Sequence, residues 1–219
     1  MIKNKIKGLV IISRFKEDFS WIEEYTDNYI VHNKGVPIYD NPHVINTPNK
    51  CKNALDIPYF AIQNHGNLPR LMIFIQAYPF DHCPKPIFDE LVIKDKFTII
   101  DDPFVFGKKP QYGVSDTGVF CEKNGFDFFY GRNKSLQFKD FNSFMEKYFD
   151  NYDYPEWVEF GKGLQYIVEK EQLSTYPILF WESIINDLHG LDEIEGHYVE
   201  RAMYYILTRK YNLKKEYYA

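Results

Sequence analysis

The sequence predicts a single α/β domain spanning residues 1–219, a mixed sheet flanked by helices. Two observations lead there. Short β-branched or apolar runs alternate with helical patterns from the N-terminus onward, the arrangement of strand–helix–strand units. The clearest of these runs also end abruptly in polar or charged side chains, as strands do when their carboxyl ends open onto a ligand crevice. The length of 219 residues accommodates one well-buried α/β core but not comfortably two.

Gly8 to Ser13 (GLVIIS) reads as the first strand, and Arg14 to Asp18 as a polar loop. Ser20-Trp21-Ile22-Glu23 has the S-x-x-E spacing of a capping box and is expected to open a helix. Tyr29 to Asn33 (YIVHN) is the second strand, stopped by Lys34-Gly35, so the opening reads as a βαβ unit. Val36 to Pro48, rich in Pro and Asn, is expected to be an exposed loop. A helix is expected within Lys50 to Asn64, with Pro58 starting, kinking or ending it.

Leu71 to Gln76 is the strongest strand, and it runs into Asp81-His82. Phe97 to Ile100 is another, followed by Asp101-Asp102-Pro103, whereas the Gly-punctuated aromatic region from Phe104 to Gly131 gives no clear pattern. Lys139 to Phe149 is amphipathic, with Phe141, Phe144, Met145, Tyr148 and Phe149 forming a core-facing stripe. Leu164 to Val168 is a further strand, with helical segments at Glu169 to Ser174 and Pro177 to Leu188. The last helix is expected from Gly196 to Lys210. Tyr198, Ala202, Tyr205 and Ile206 lie on one face, and His197, Glu200, Arg201 and Tyr204 on another. No internal repeat or low-complexity linker stands out.

Composition narrows the function classes. A net charge of −5 argues against a general nucleic-acid binder, which needs a basic excess or stripe. No apolar run approaches the ~20 residues that span a bilayer, and the basic N-terminus leads into a strand without a signal-peptide apolar region, so a soluble, cytoplasmic protein is expected. Cys51, Cys83 and Cys121 are odd in number and widely spaced, hence free thiols, and no C-x-x-C pair suggests a Cys/His metal site. Aromatics make up 18% of residues. A sugar cleft uses such rings, but Lys, Asn and Ile are also plentiful, and coding bias explains the larger share.

Asp81-His82 after an apolar strand can bind a divalent cation, hold a sugar hydroxyl or exchange a proton, although for the dipeptide alone a turn-capping Asp beside a solvated His is the simpler explanation. Arg14, Asn33 and Lys34 close the first two strands, and two of them offer cationic groups for a nucleotide or diphosphate; surface ion pairing of Arg14 and Lys34 with Glu17, Asp18 or Asp40 is the structural alternative, and for Lys34-Gly35 a simple turn. Convergence of Arg14, Asn33, Lys34, Asp81 and His82 in one cleft is expected. Glu200 and His197 are candidates for proton transfer, with a Glu200–Arg201 structural pair as the alternative.

The ordered set Val10-Ile11-Ile12-Ser13-Arg14-Phe15-Lys16-Glu17-Asp18-Phe19-Ser20-Trp21, His32-Asn33-Lys34-Gly35, Asn64-His65-Gly66-Asn67-Leu68-Pro69, Phe74-Ile75-Gln76-Ala77-Tyr78-Pro79-Phe80-Asp81-His82, Gln165-Tyr166-Ile167-Val168 and His197-Tyr198-Val199-Glu200-Arg201 resembles an uncharacterised domain family that is itself similar to GT-A type glycosyltransferases. That family's patterns run VVVARYNEDLSWL, YNKG, FLQGxPFDH, QFxV and xYxER, and the matching pieces span most of the chain. The resemblance implies a Rossmann-like mixed sheet, a nucleotide-diphosphate sugar donor and a glycan or protein acceptor. It also implies Mn²⁺ or Mg²⁺ held by Asp81, His82 and Asp101 (or Asp102), although no D-x-D is present. One segment departs: where the family has Asn-x-Gly-Arg-Glu, this chain has Asn49-Lys50-Cys51-Lys52-Asn53, without the Gly and the Glu. A catalytically silent sugar- or glycan-binding module is therefore the rival expectation, and a metal-dependent hydrolase the third.

Overall fold

The computed structural model describes residues 5–49, 51–106, 109–125, 138–188 and 193–218. Residues 1–4, Lys50 and residues 126–131 of the aromatic region therefore lie outside the described residues. In chain order the elements are β1 (Leu9–Arg14), β2 (Tyr29–Asn33), β3 (Val44–Asn46), α1 (Asp56–Gln63), β4 (Leu71–Gln76), α2 (Lys85–Leu91), β5 (Thr98–Ile99), β6 (Tyr112–Val114), β7 (Phe120–Lys123), α3 (Phe141–Tyr148), β8 (Phe149–Asp150), β9 (Trp157–Glu159), β10 (Tyr166–Glu169), α4 (Lys170–Ser174), α5 (Ile178–Asp187), α6 (Glu193–Thr208) and β11 (Asn212–Leu213).

Six of these strands form a mixed sheet in the order β3-β2-β1-β4-β10-β5. The run β3, β2, β1, β4 is parallel throughout, and β10 lies antiparallel between β4 and β5. The order reverses between β1 and β4, the switch point of a doubly wound sheet, so the architecture is compatible with a Rossmann-like fold. Successive side chains alternate between two apolar layers. Ile11, Met72, Phe74, Tyr166 and Val168 face the cluster that holds α1, α5 and α6. Val10, Ile12, Leu71, Ile73, Ile75 and Ile167 face Ile22, Tyr25, Phe88 and Val92. Burial on both faces is why β4 reads as an unbroken apolar run, each such side chain contributing about 1.5–3 kcal/mol. A second sheet, β6-β7-β9, is antiparallel, and β8 pairs with β11.

Several local expectations are corrected. Ser20 caps no helix: its N–H and hydroxyl both go to the Asp18 carboxylate (3.0 and 2.8 Å), and only a 3₁₀ turn forms over Ser20–Glu24. Asp18 offers a nearer acceptor than the helix-start pattern assumes. The helix expected within residues 50–64 begins at Asp56, because Cys51 and Lys52 adopt left-handed φ values of 49° and 51°. Pro58 falls in the first turn, where a missing N–H costs nothing. The expected loop from Val36 to Pro48 contains β3, an edge strand too short and exposed to show apolar alternation. α2 and the β6–β7 hairpin were not anticipated. α3 is opened by a reciprocal cap between Asp140 and Ser143 (2.8 and 3.1 Å). On α6, Tyr198, Ala202, Tyr205 and Ile206 are buried as the periodicity requires, and Arg209 at φ 55° follows its end.

The β2 exit passes against the β1 exit so closely that a Cβ at Gly35 would lie 1.5 Å from the Phe15 carbonyl oxygen. Both contacts are backbone and neither can yield. Gly35→Ala should therefore destabilise the protein by about 3 kcal/mol or more, measured as a lower urea midpoint with an unchanged slope.

Candidate functional site

Because β1, β2 and β4 are parallel, their carboxyl ends share one edge of the sheet, but side-chain parity divides what stands there. Ser13 pairs with His32, and Arg14 with Asn33, so the two pairs point to opposite faces. On the α1 face, the Lys34 ammonium contacts both oxygens of Asp56 (2.6 and 2.7 Å) and the Ser13 hydroxyl (2.7 Å), while His32 Nδ1 lies 2.9 Å from Asp56 Oδ1. All three charged or imidazole groups are buried. Burial by itself would raise the Asp56 carboxyl, but Lys34 and His32 outweigh it and hold it below the ordinary carboxylate range. Lys34 is thus an internal counter-ion at the start of α1 and does not face a diphosphate.

On the opposite face, Arg14 donates to Asn33 Oδ1 (2.6 Å) and to the Glu17 carbonyl (2.9 Å), and the Asn33 amide donates to Val36 O and Asn46 Oδ1 (2.8 and 2.7 Å). These bonds tie the exits of β1 and β2 to β3. The convergence expected of five residues is therefore corrected: Arg14 and Asn33 turn one way, Lys34 the other, and neither set lines the cavity described next.

That cavity, about 380 Å³ in volume, opens beyond the carboxyl end of β4. Gln76 and His82 form the β4 side, residues 51–53 lead into α1, and Gly196, His197, Glu200 and Arg201 come from the first turns of α6. Lys162 and Gly163 form a turn before β10, and Tyr112, Phe120 and Glu122 come from the small sheet, with Phe106, Lys109 and Phe160 completing the wall. Arg201 grips Glu122 through Nε and Nη2 (both 3.0 Å) while its guanidinium lies 4.8 Å from the Phe160 ring centre. Burial pushes the Glu122 carboxyl up, and Arg201 only partly offsets it.

Glu200 accepts the Gly163 N–H at 2.7 Å, and its other oxygen lies 3.4 Å from His197 Nδ1 and 3.5 Å from Arg201 Nη1. Burial pushes the Glu200 carboxyl up, but His197, Arg201 and the Gly163 amide together bring it below its ordinary value. Gly163 has φ +67°, and a Cβ there would stand 2.7 Å from His82 Cδ2 and 2.9 Å from Gln76 Nε2, so glycine alone suits the position. Asn53 donates to the Gly163 carbonyl at 2.6 Å. This is the position where the resembled family has Glu, and a carboxylate cannot make that bond.

The metal set does not assemble. Asp81 closes a 3₁₀ turn at Pro79–Asp81 with its side chain 54% exposed, 3.9 Å from His82 Nε2 and outside the cavity lining. Asp101 is buried against the Lys162 ammonium (2.7 Å) and backbone N–H (3.2 Å); burial raises its carboxyl and Lys162 lowers it in part. Asp102 offers Lys162 its carbonyl at 2.8 Å. Among the described residues, no group of three or more His, Cys, Asp and Glu side chains is placed to hold a metal ion.

Of the sequence-derived candidates, His82, His197 and Glu200 line the cavity, while Arg14, Asn33, Lys34, Asp81 and Asp101 do not. Sequence reading missed Lys109, Glu122, Lys162 and Gly163. Gly161-Lys162-Gly163 carried a usable turn signal just before a strand, but Glu122 meets Arg201 across 79 residues and no local pattern announces that pairing. No protein-family model matches the chain, and neither a curated protein nor a solved structure matches it.

The depressed Glu200 carboxyl has a definite pH consequence. A carboxyl lowered on folding stabilises the fold above its unfolded value of ~4.3 and loses that contribution as pH falls through the folded value. Glu200→Gln should unfold at lower urea than the parent protein at pH 7, and the gap should narrow as pH drops below ~4.

Proposed function

We propose that this chain is a glycosyltransferase-type enzyme of the GT-A class, which receives the nucleotide-diphosphate part of a sugar donor in the 380 Å³ cavity and a glycan or protein acceptor at its mouth. The observation that carries this reading is the composition of the cavity at the end of β4: Lys52, Lys109, Lys162 and Arg201 outnumber Glu122 and Glu200, and four aromatic rings join them. Anionic, partly aromatic ligands suit such a lining. The mixed sheet with its β1–β4 switch point supports the class, and so does the ordered resemblance across the chain.

In the reaction, an acceptor hydroxyl oxygen bonds to the donor's anomeric carbon, the bond from that carbon to the diphosphate breaks, and the hydroxyl proton passes to a base. Glu200 is already committed to Gly163, His197 and Arg201, and its lowered carboxyl is a weak base. His197, with Glu200 set against Nδ1, is the group assigned to proton transfer, and Glu200 positions it. No step runs through a metal ion, because the expected ligands are apart or already paired. The same commitment of Glu200 favours a second reading, a module that binds nucleotide sugars or glycans without transferring them.

Calorimetry with UDP- and GDP-sugars tests the shared premise, and release of free nucleotide in the presence of acceptor glycans separates the two readings. Binding with turnover supports the transferase, and His197→Ala should then lower turnover by ~10²-fold or more with donor affinity nearly unchanged. Binding without turnover supports the module. Absence of binding to every nucleotide sugar and free nucleotide would overturn both.

A further inference from the structure

We infer that Phe106 is the stacking platform of the cavity, and that the planar base of a nucleotide lies on its bare face while the sugar ring of the donor lies elsewhere. The inference rests on the nucleotide reading of the cavity and says which side chain receives the base. Among the four rings of the lining, Phe120 and Phe160 are buried and Tyr112 is half-buried, whereas Phe106 is 41% exposed. A bare ring on a cavity wall is apolar area that a ligand can withdraw from water, which favours binding. The ring is also held in place. His82 meets it at 76° and Phe120 at 70°, with ring centres 5.8 and 6.0 Å away, and Tyr112 is tilted by 37° at 6.1 Å. None of these three neighbours lies flat on it.

The Lys162 ammonium decides what kind of ring the bare face suits. It lies over Phe106, 5.2 Å from the ring centre. The Lys162 side chain is withdrawn from water and paired with Asp101 at 2.7 Å, so the face it covers is turned into the protein and the bare face is the opposite one. A cation draws π density toward itself and thins it on the far side of the ring. The C–H groups of a sugar ring, or a second ammonium, need an electron-rich face and gain little there. Two stacked π-faces repel each other less when one of them is depleted, so a heteroaromatic ring gains. Purine and pyrimidine bases are such rings. Each presents a π-face, so stacking on Phe106 selects a nucleotide without selecting one base.

Calorimetry on the whole chain with UDP, GDP and UDP-glucose tests the assignment. Phe106→Ala and Phe106→Leu should each weaken UDP and GDP ~10-fold, and Phe106→Tyr, which keeps the π-face, should stay within ~2-fold of the parent. UDP-glucose should lose the same factor as UDP, since its sugar does not rest on the ring. Phe106 lies outside the buried core, so the variants remain folded, and an unaltered thermal midpoint checks this. Parent affinity in Phe106→Leu would reduce the ring to a simple apolar contact and overturn the inference. So would UDP and GDP affinities indifferent to every variant, or a loss confined to UDP-glucose, which would put the sugar on Phe106. Each of these outcomes leaves the nucleotide reading standing. If the parent chain binds none of the three probes, the nucleotide reading itself falls and the inference falls with it.

Discussion

The walls of the cavity meet at the backbone of one residue, Gly163. Its N–H is taken by Glu200 of α6, its carbonyl by Asn53 ahead of α1, and its bare α-carbon lets His82 and Gln76 from the end of β4 close in. Any side chain would push these elements apart, since the left-handed φ and the 2.7 Å approach both exclude a Cβ. The short turn before β10 thus fixes the distance from the sheet to α6, and with it the position of His197 and Arg201.

Charge pairing shapes the site as much as packing does. Lys34 with Asp56, Lys162 with Asp101 and Arg201 with Glu122 are all largely withdrawn from water. Buried pairs of this kind add little net stability, because desolvation offsets attraction, but breaking one is expensive. Their effect is therefore geometric: each joins an element that the sequence order separates. Lys34 attaches the β2 exit to α1, Lys162 attaches the β10 turn to the β5 exit, and Arg201 attaches α6 to the small sheet. The site that results is a frame of matched, largely buried charges.

The strand ends were legible because strands buried on both faces are unbroken apolar runs that stop where water or a ligand begins. That is why β1, β2, β4 and β10 appear in the sequence nearly at their true limits, and why His82 was found. The faces of α6 were equally legible, since a 3.6-residue period sorts Tyr198, Ala202 and Ile206 from His197, Glu200 and Arg201 without reference to any other element. The β3 edge and the β6–β7 hairpin escaped notice because short, partly exposed strands have no burial pattern to display.

What the sequence by itself determined is the periodicity: which residues are strand, which helix faces are apolar, and that polar groups gather at the carboxyl ends of parallel strands. Those properties are local, set within a few residues by backbone geometry and hydrophobic burial. Which charges remain available for chemistry was decided only by the tertiary structure. Lys34 and Asp101 look like ligand-binding residues in the chain and are internal counter-ions in the fold, while Lys109, unremarked in the chain, reaches the cavity. The reason is physical: a charge is consumed by whichever opposite charge lies within a few ångströms, and the partners of these residues stand 22 and 61 residues away in sequence, a separation that only folding closes.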